Sequence, residues 1–267
     1  MQGKKSHKSQ EIIFEYEFGR LKKEGKVIFE CEYDKEGNLV KHTDFYIHTN
    51  KPVVQYITLY DKKGNDIQWD EYNEDGKFDN RIVNKYDKSK NKIEVYKYDS
   101  NEKLVSKTVN SYNGKNITES NTLDPEGKLL EKEIFKYDDL GYSISHNRYD
   151  SKGQLLSKAS FVNDSKGNAI EMHFYNPENG TSKVISSYDD NSNLIEEIWY
   201  EYDGKLRQRE TYKYDEKENE TERVIYNSEG RVEIKFIHYY DAEGNKLKTI
   251  EYDEGDEPAL LTEYKEL

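Results

Sequence analysis

The chain has 267 residues, a formal charge of −13, 36% charged residues and only 33% hydrophobic ones, and Tyr alone occurs 24 times. This acidic surplus argues against a protein that tracks phosphates, because nucleic-acid binding leans on clustered Lys and Arg. The single Cys31 excludes an internal disulfide and a cysteine zinc site, and no run reaches the roughly 18 apolar residues of a membrane helix.

Residues 1–10 are polar and basic, read as an N-terminal tail, and residues 11–267 as one repeat domain. The start lacks an apolar signal segment. It fits a cytoplasmic protein, and it fits equally a bacterial cell-envelope or lipoprotein chain whose leader has been removed, with Gly3–Gln10 as a tether. The Tyr/Asn/Lys-rich, nearly Cys-free composition tilts the expectation toward the envelope or cell surface.

Glu11–Phe18 reads as the first strand, turning at Gly19 or Gly25 into Val27–Tyr33. There Cys31 reads as a packed thiol. Tyr33-Asp34-Lys35-Glu36-Gly37-Asn38 is the first copy of an anchor that recurs almost to the C-terminus. The second copy is damaged: Asn50-Lys51-Pro52 replaces it, and Pro52 cannot donate to a ladder. From Tyr60-Asp61-Lys62-Lys63-Gly64-Asn65 onward the anchors come steadily, through Tyr86-Asp87, Tyr112-Asn113, Tyr137-Asp138, Asn163-Asp164, Tyr188-Asp189, Tyr202-Asp203-Gly204, Tyr214-Asp215 and Tyr240-Asp241 to Tyr252-Asp253. Spacings alternate between about 12 and about 14 residues, so the repeat is a hairpin of about 26 residues, clearest over 33–255.

Each anchor position has a physical reason. Tyr is a good strand residue and ends the strand. Asp or Asn hydrogen-bonds the backbone two residues on, and Gly or Asn supplies the positive φ of a short hairpin loop. The six to nine residues between anchors alternate, and a turn signal every dozen residues excludes helices. The expected fold is therefore all-β: a repetitive antiparallel β-meander of about 18–20 short strands. Open sheets beyond about ten strands curl or split, so a wide, curled, superhelical sheet, partly one layer thick, is expected. In residues 231–240, Val232, Ile234, Phe236, His238 and Tyr240 share one face, and Glu233, Lys235, Ile237 and Tyr239 the other.

At these anchors the chain resembles the YD-repeat, or RHS-repeat, family, whose unit is Tyr-Asp-x-x-Gly followed by Arg or a similar residue. Residues 33–38, 60–65 and 240–245 are the nearest copies. Tyr226-Asn227-Ser228-Glu229-Gly230-Arg231 is similar to the shorter repeats of MORN-like antitoxin proteins. The resemblance implies an antiparallel β-strip, coiled into a shell in large RHS proteins, and the antitoxin likeness implies an immunity-type partner protein.

No catalytic constellation stands out, and an enzyme is not expected. His7, His42, His48, His146, His173 and His238 are scattered, and His42 and His48 read as solvated strand histidines. Asp189-Asp190-Asn191-Ser192-Asn193 has oxygen ligands spaced as in a calcium loop but lacks its Gly and its bidentate Glu, so it reads as an Asx turn. No cofactor or metal is expected. What remains is surface: Trp69, Trp199, Tyr200, Tyr202 and Tyr239 are the candidate binding residues, because aromatic rings anchor protein partners and stack on sugars. The expected function is a non-catalytic binding or scaffold protein that engages a protein partner or another copy of itself. The alternatives are a carbohydrate-binding cell-surface protein and an immunity or antitoxin-like partner.

Overall fold

The computed structural model describes residues 6–267. The strands are β1 (His7–Glu17), the two-residue β2 (Arg20–Leu21), β3 (Lys26–Tyr33), β4 (Leu39–Phe45), β5 (Pro52–Tyr60), β6 (Asp66–Asn73), β7 (Phe78–Tyr86), β8 (Lys92–Tyr98), β9 (Leu104–Asn113), β10 (Asn116–Leu123), β11 (Leu129–Tyr137), β12 (Ser143–Asp150), β13 (Leu155–Asn163), β14 (Ala169–Asn176), β15 (Gly180–Tyr188), β16 (Leu194–Tyr200), β17 (Leu206–Tyr214), β18 (Glu220–Asn227), β19 (Val232–Tyr240), β20 (Lys246–Tyr252) and β21 (Pro258–Glu266). All pairings are antiparallel and, β2 apart, each strand pairs with its neighbours in the chain. No helix occurs among the described residues.

The meander is as expected, but the sheet is not an open superhelix. β1 pairs on one side with β3 and on the other with β21, from Ser9↔Glu266 to Glu15↔Leu260, which closes a 20-strand β-barrel. Closure removes the two exposed ladders that an open ribbon would present to other chains. The tail is correspondingly shorter than residues 1–10: His7–Gln10 belong to β1, while residues 1–5 lie outside the described residues. His7 stacks on Tyr33 at 4.5 Å, and Leu267 N donates to Lys8 O at 2.8 Å.

The turns explain the repeat. In Asp61–Asn65, Gly64 N donates to Asp61 O and Asp61 N to Asn65 O, a type I turn with a bulge. The Asp61 carboxylate accepts from Lys63 N, Asn65 N and Asn65 Nδ2. Positive φ always falls one residue before the position filled by Asn. Where Gly is missing, Asn50, Lys90, Glu102, Ser192, Glu218 and Asp256 take it, and not Asn91, Asn193 or Asn219. Near 200 the anchor is Tyr200-Glu201, with Glu201 N bonded to Lys205 O, so Tyr202 lies within the loop. Because αL costs a non-glycine residue roughly 1–2 kcal/mol, Glu102→Gly and Glu218→Gly should each stabilise the barrel. After the unfolded-state entropy of Gly is subtracted, about 0.5–1 kcal/mol per site remains, read as an increase in urea midpoint at constant m.

Alternate turns gather at opposite rims, and the rims differ. One carries Asn after the turn (Asn38, Asn65, Asn91, Asn168, Asn193, Asn219, Asn245); the other carries mainly Lys (Lys77, Lys103, Lys128, Lys205). At the Asn rim the anchor tyrosines share a face with Cys31, Asn84 and Ser186. Tyr60, Tyr86, Tyr112, Tyr137, Tyr188, Tyr214 and Tyr240 each donate to the first or second carbonyl of the neighbouring strand, at 2.7–3.2 Å. Asn163, which replaces Tyr in the series, makes the same bond to Ser143 O at 2.9 Å. At the Lys rim the tyrosines lie on the opposite face and pair with a cation of the preceding strand. Lys183 lies 5.0 Å from the Tyr200 ring, Arg209 5.0 Å from Tyr226 and Lys235 4.7 Å from Tyr252.

There is almost no dry core. Cys31, Val184, Val224 and Leu261 are the buried hydrophobic residues. The chain exposes 17153 Å², where a compact protein of its mass would expose about 12,000 Å². This is a single-layer wall wetted on both sides, and twenty strands exceed the roughly 16–18 of porin barrels that already leave an aqueous lumen. Cross-strand ion pairs replace a core: Glu94 is held down to about 2 by Lys107, Tyr96 and Lys85, and Asp70 takes a two-pronged contact from Arg81 at 2.7 and 2.8 Å. Both faces carry charge, the outer at Lys107, Lys132 and Lys158 and the inner at Glu197, Glu210 and Arg223. Among the described residues no helix is long and apolar enough to cross a membrane.

Candidate functional site

We assign the face bearing the Asn-rim tyrosines to the inside of the barrel; two side-chain cavities, of about 530 and 430 Å³, open onto it. Its lining is also where the repeats diverge. The outer face repeats a cation at Arg81, Lys107, Lys132, Lys158, Lys183, Arg209 and Lys235. The inner positions one residue on are Ile82, Thr108, Glu133, Ala159, Val184, Glu210 and Phe236. Architecture accounts for the first set and not for the second.

Three polar clusters line this face from β15 to β21. Ser186 Oγ donates to Glu197 Oε1 at 3.2 Å. Glu210, 5% exposed, is fully satisfied, by Gln208 Nε2 at 2.6 Å, Tyr212 OH at 2.8 Å and Arg223 Nε at 2.7 Å, as a buried carboxylate must be. His238 contacts Glu220 at 3.1 Å and Thr249 at 2.8 Å, and Thr249 meets Tyr264 at 3.4 Å. Glu11, Glu220, Arg223, His238, Glu251 and Tyr264 surround a cavity of about 430 Å³.

The carboxylates of this lining fall into two kinds. His238 holds Glu220 below its ordinary range. Burial pushes Glu11, Glu197 and Glu251 above theirs, with Lys246 partly offsetting it at Glu11 and Ser186 at Glu197, and for Glu251 burial is the sole cause. The Trp199 indole Nε1 is buried without an acceptor, on the same face as Val184, which is 1% exposed. A second cluster lies across β3 and β4: Cys31 Sγ is 3.2 Å from His42 Nδ1, and His42 Nε2 is 2.7 Å from Asp44 Oδ1.

The aromatic candidates do not converge. Trp69 is on the inner face, stacked on Tyr56 at 4.8 Å. Trp199 is inner, Tyr200 outer beneath Lys183, and Tyr202 stands exposed at the Lys rim. Tyr239 is outer, with Lys248 4.4 Å from its ring. His42 is not a solvated strand histidine: it is a quarter exposed and stacked near Phe29 and Tyr56. Asp189 caps its own turn through Asn191 N and Asn193 N. Among the described residues no group of three or more His, Cys, Asp or Glu is arranged to hold a metal ion.

No family model matches the chain, and no curated protein matches by sequence. Among solved structures, a chain of the Photorhabdus luminescens Tc holotoxin pore is similar over 89% of this chain, at 11% identity and TM-score 0.37. This chain spans only 16% of that one. A TcdB2-TccC3-Cdc42 structure is similar over 91% of this chain and 19% of its own, at 14% identity and TM-score 0.19. A porin-like protein from Bacteroides uniformis covers 97% of this chain and 96% of its own length, at 11% identity and TM-score 0.43.

Proposed function

We propose that the protein is a non-catalytic binding or scaffold module of YD-repeat type that engages a protein partner through the lumenal lining of β15–β21 and β1. The observation that carries this reading is the divergence of the inner positions while the outer belt repeats. Burial in the lining disfavours the charged forms of Glu11 and Glu251, and a partner presenting Lys or Arg would offset that cost. The carbohydrate reading is weaker, because Trp199, Tyr200 and Tyr202 face three different sides and form no common stacking platform. An immunity-type partner is one form of the protein-binding reading. The setting we favour is the bacterial cell envelope, with the barrel wetted on both faces.

The test is charge reversal on the two faces. Glu11→Lys with Glu251→Lys should weaken binding to a partner identified by affinity capture at least tenfold, whereas Lys158→Glu on the outer wall should leave it within about twofold. Calorimetric titration reads both, and the opposite pattern would discard the lumenal site.

A further inference from the structure

We propose that Cys31, His42 and Asp44 act as nucleophile, base and positioning carboxylate, and that Cys31 takes up a short acyl group from a thioester donor. The strands bring the three together: Cys31 and His42 are directly opposed across β3 and β4, and Asp44 lies two residues on, on the same face. Phe29 and Tyr56 flank the imidazole at 5.2 and 6.0 Å and limit its rotation. With the Asp44 carboxylate as acceptor, Nε2 carries the ring hydrogen and the Nδ1 lone pair faces the thiol. That is the arrangement of an activated nucleophile, its base and its orienting group.

The surroundings define what the thiol can do. Cys31 lies between Phe29 and Tyr33 on β3 and opposite Ser9 on β1, and these three line a cavity of about 530 Å³ together with Leu247 and Tyr264. Phe29, Tyr33, Leu247 and Tyr264 give it one apolar flank wide enough for a short acyl chain, beside a polar rim of His7, Gln10, Asn245 and Lys246. Burial pushes the thiol up, and the Asp44 and Glu11 carboxylates add to this against the hydroxyls of Tyr33 and Ser9. The resting group is therefore a neutral thiol, and attack requires His42 to accept its proton. The S–H proton passes to His42 Nδ1, the bond from Sγ to the acyl carbon forms, the donor's carbon–sulfur bond breaks, and the imidazolium proton goes to the departing thiolate. β3 is laddered on both sides, so its amides are engaged and offer no oxyanion hole, which makes both the acyl transfer and the later hydrolysis slow. The thioester on Cys31 is the product, which is compatible with a binding module.

The experiment treats the full chain with phenyl thioacetate and follows intact mass against time and pH. Expected is one acetyl group, mapped to Cys31 and absent in Cys31→Ser. His42→Gln should label about a hundredfold more slowly. Asp44→Asn should label more slowly, with the pH of half-maximal rate moved down, because the imidazolium formed in the step loses its carboxylate. Glu11, Tyr33 and Tyr56, which face the same cluster, remain unchanged in every variant. Circular dichroism confirms the barrel, and His42→Asn replaces the Gln variant if that one fails to fold. Equal rates in wild type and a folded His42 variant, or labelling of the wild type only in urea, would overturn the proposal and leave Cys31 a packed thiol.

Discussion

Removal of residues 1–17 should convert the closed barrel into an associating, loosely folded chain. β1 joins the two ends of the meander, with seven residue pairs to β21 and seven to β3. Cross-strand pairs are worth roughly 0.2–1 kcal/mol each, so the loss amounts to several kcal/mol against a typical total of about 5–15. The deletion also bares the backbone of β3 and β21, and exposed edges recruit other strands. Light scattering should show oligomers, and the urea transition should broaden and move to lower midpoint. A peptide spanning His7–Glu17 should restore a monodisperse species by strand addition. The same peptide with Ile13→Pro should not, since proline removes a ladder donor. A truncated chain that stayed monomeric with an unchanged midpoint would show that the seam contributes nothing to closure.

The seam also marks where sequence reasoning stopped. Strand count, antiparallel pairing, the two rims and the alternation in Val232–Tyr240 all follow from local signals, because each turn fixes the register of the hairpin it closes. Closure depends on curvature accumulated over twenty strands, and no local signal reports whether Glu15 meets Leu260. The candidate site failed for a related reason. Trp199 and Tyr200 are adjacent in sequence, and adjacency in a strand puts them on opposite faces. The cluster of Cys31, His42 and Asp44 was in principle legible. The turn at Asp34–Gly37 sets Cys31 opposite His42 and leaves Asp44 on the same face, a deduction that needs the register and not the residue types. The polar lining from Glu197 to Glu251 was hidden because Glu is abundant everywhere, and only burial separates these carboxylates from the solvated ones.

That separation leads to a pH dependence with two opposed limbs. On the Asn rim, Asp34, Asp164, Asp189, Asp215 and Asp241 are held below their ordinary range first by the Asn side chain that closes each turn, and Asp61 and Asp87 first by the backbone N–H of that Asn. Their contribution is present above the ordinary Asp value of 3.8 and is lost as pH falls through the lower folded values. Burial raises Glu11, Glu197 and Glu251, so their contribution is complete below the ordinary Glu value of 4.5 and is lost as pH rises through the higher folded values. Urea midpoints should therefore fall steeply below about pH 4 and decline gently from about pH 5 toward neutrality. Glu251→Gln should raise the midpoint at pH 7 and leave it unchanged at pH 4. Asp61→Asn with Asp215→Asn should flatten the acid limb. If the gain from Glu251→Gln were the same at both pH values, it would come from packing and not from relief of a buried charge. If the gain is confined to neutral pH, the barrel retains at Glu251 a charge that weakens it, the pattern expected where a binding surface is kept at the expense of stability.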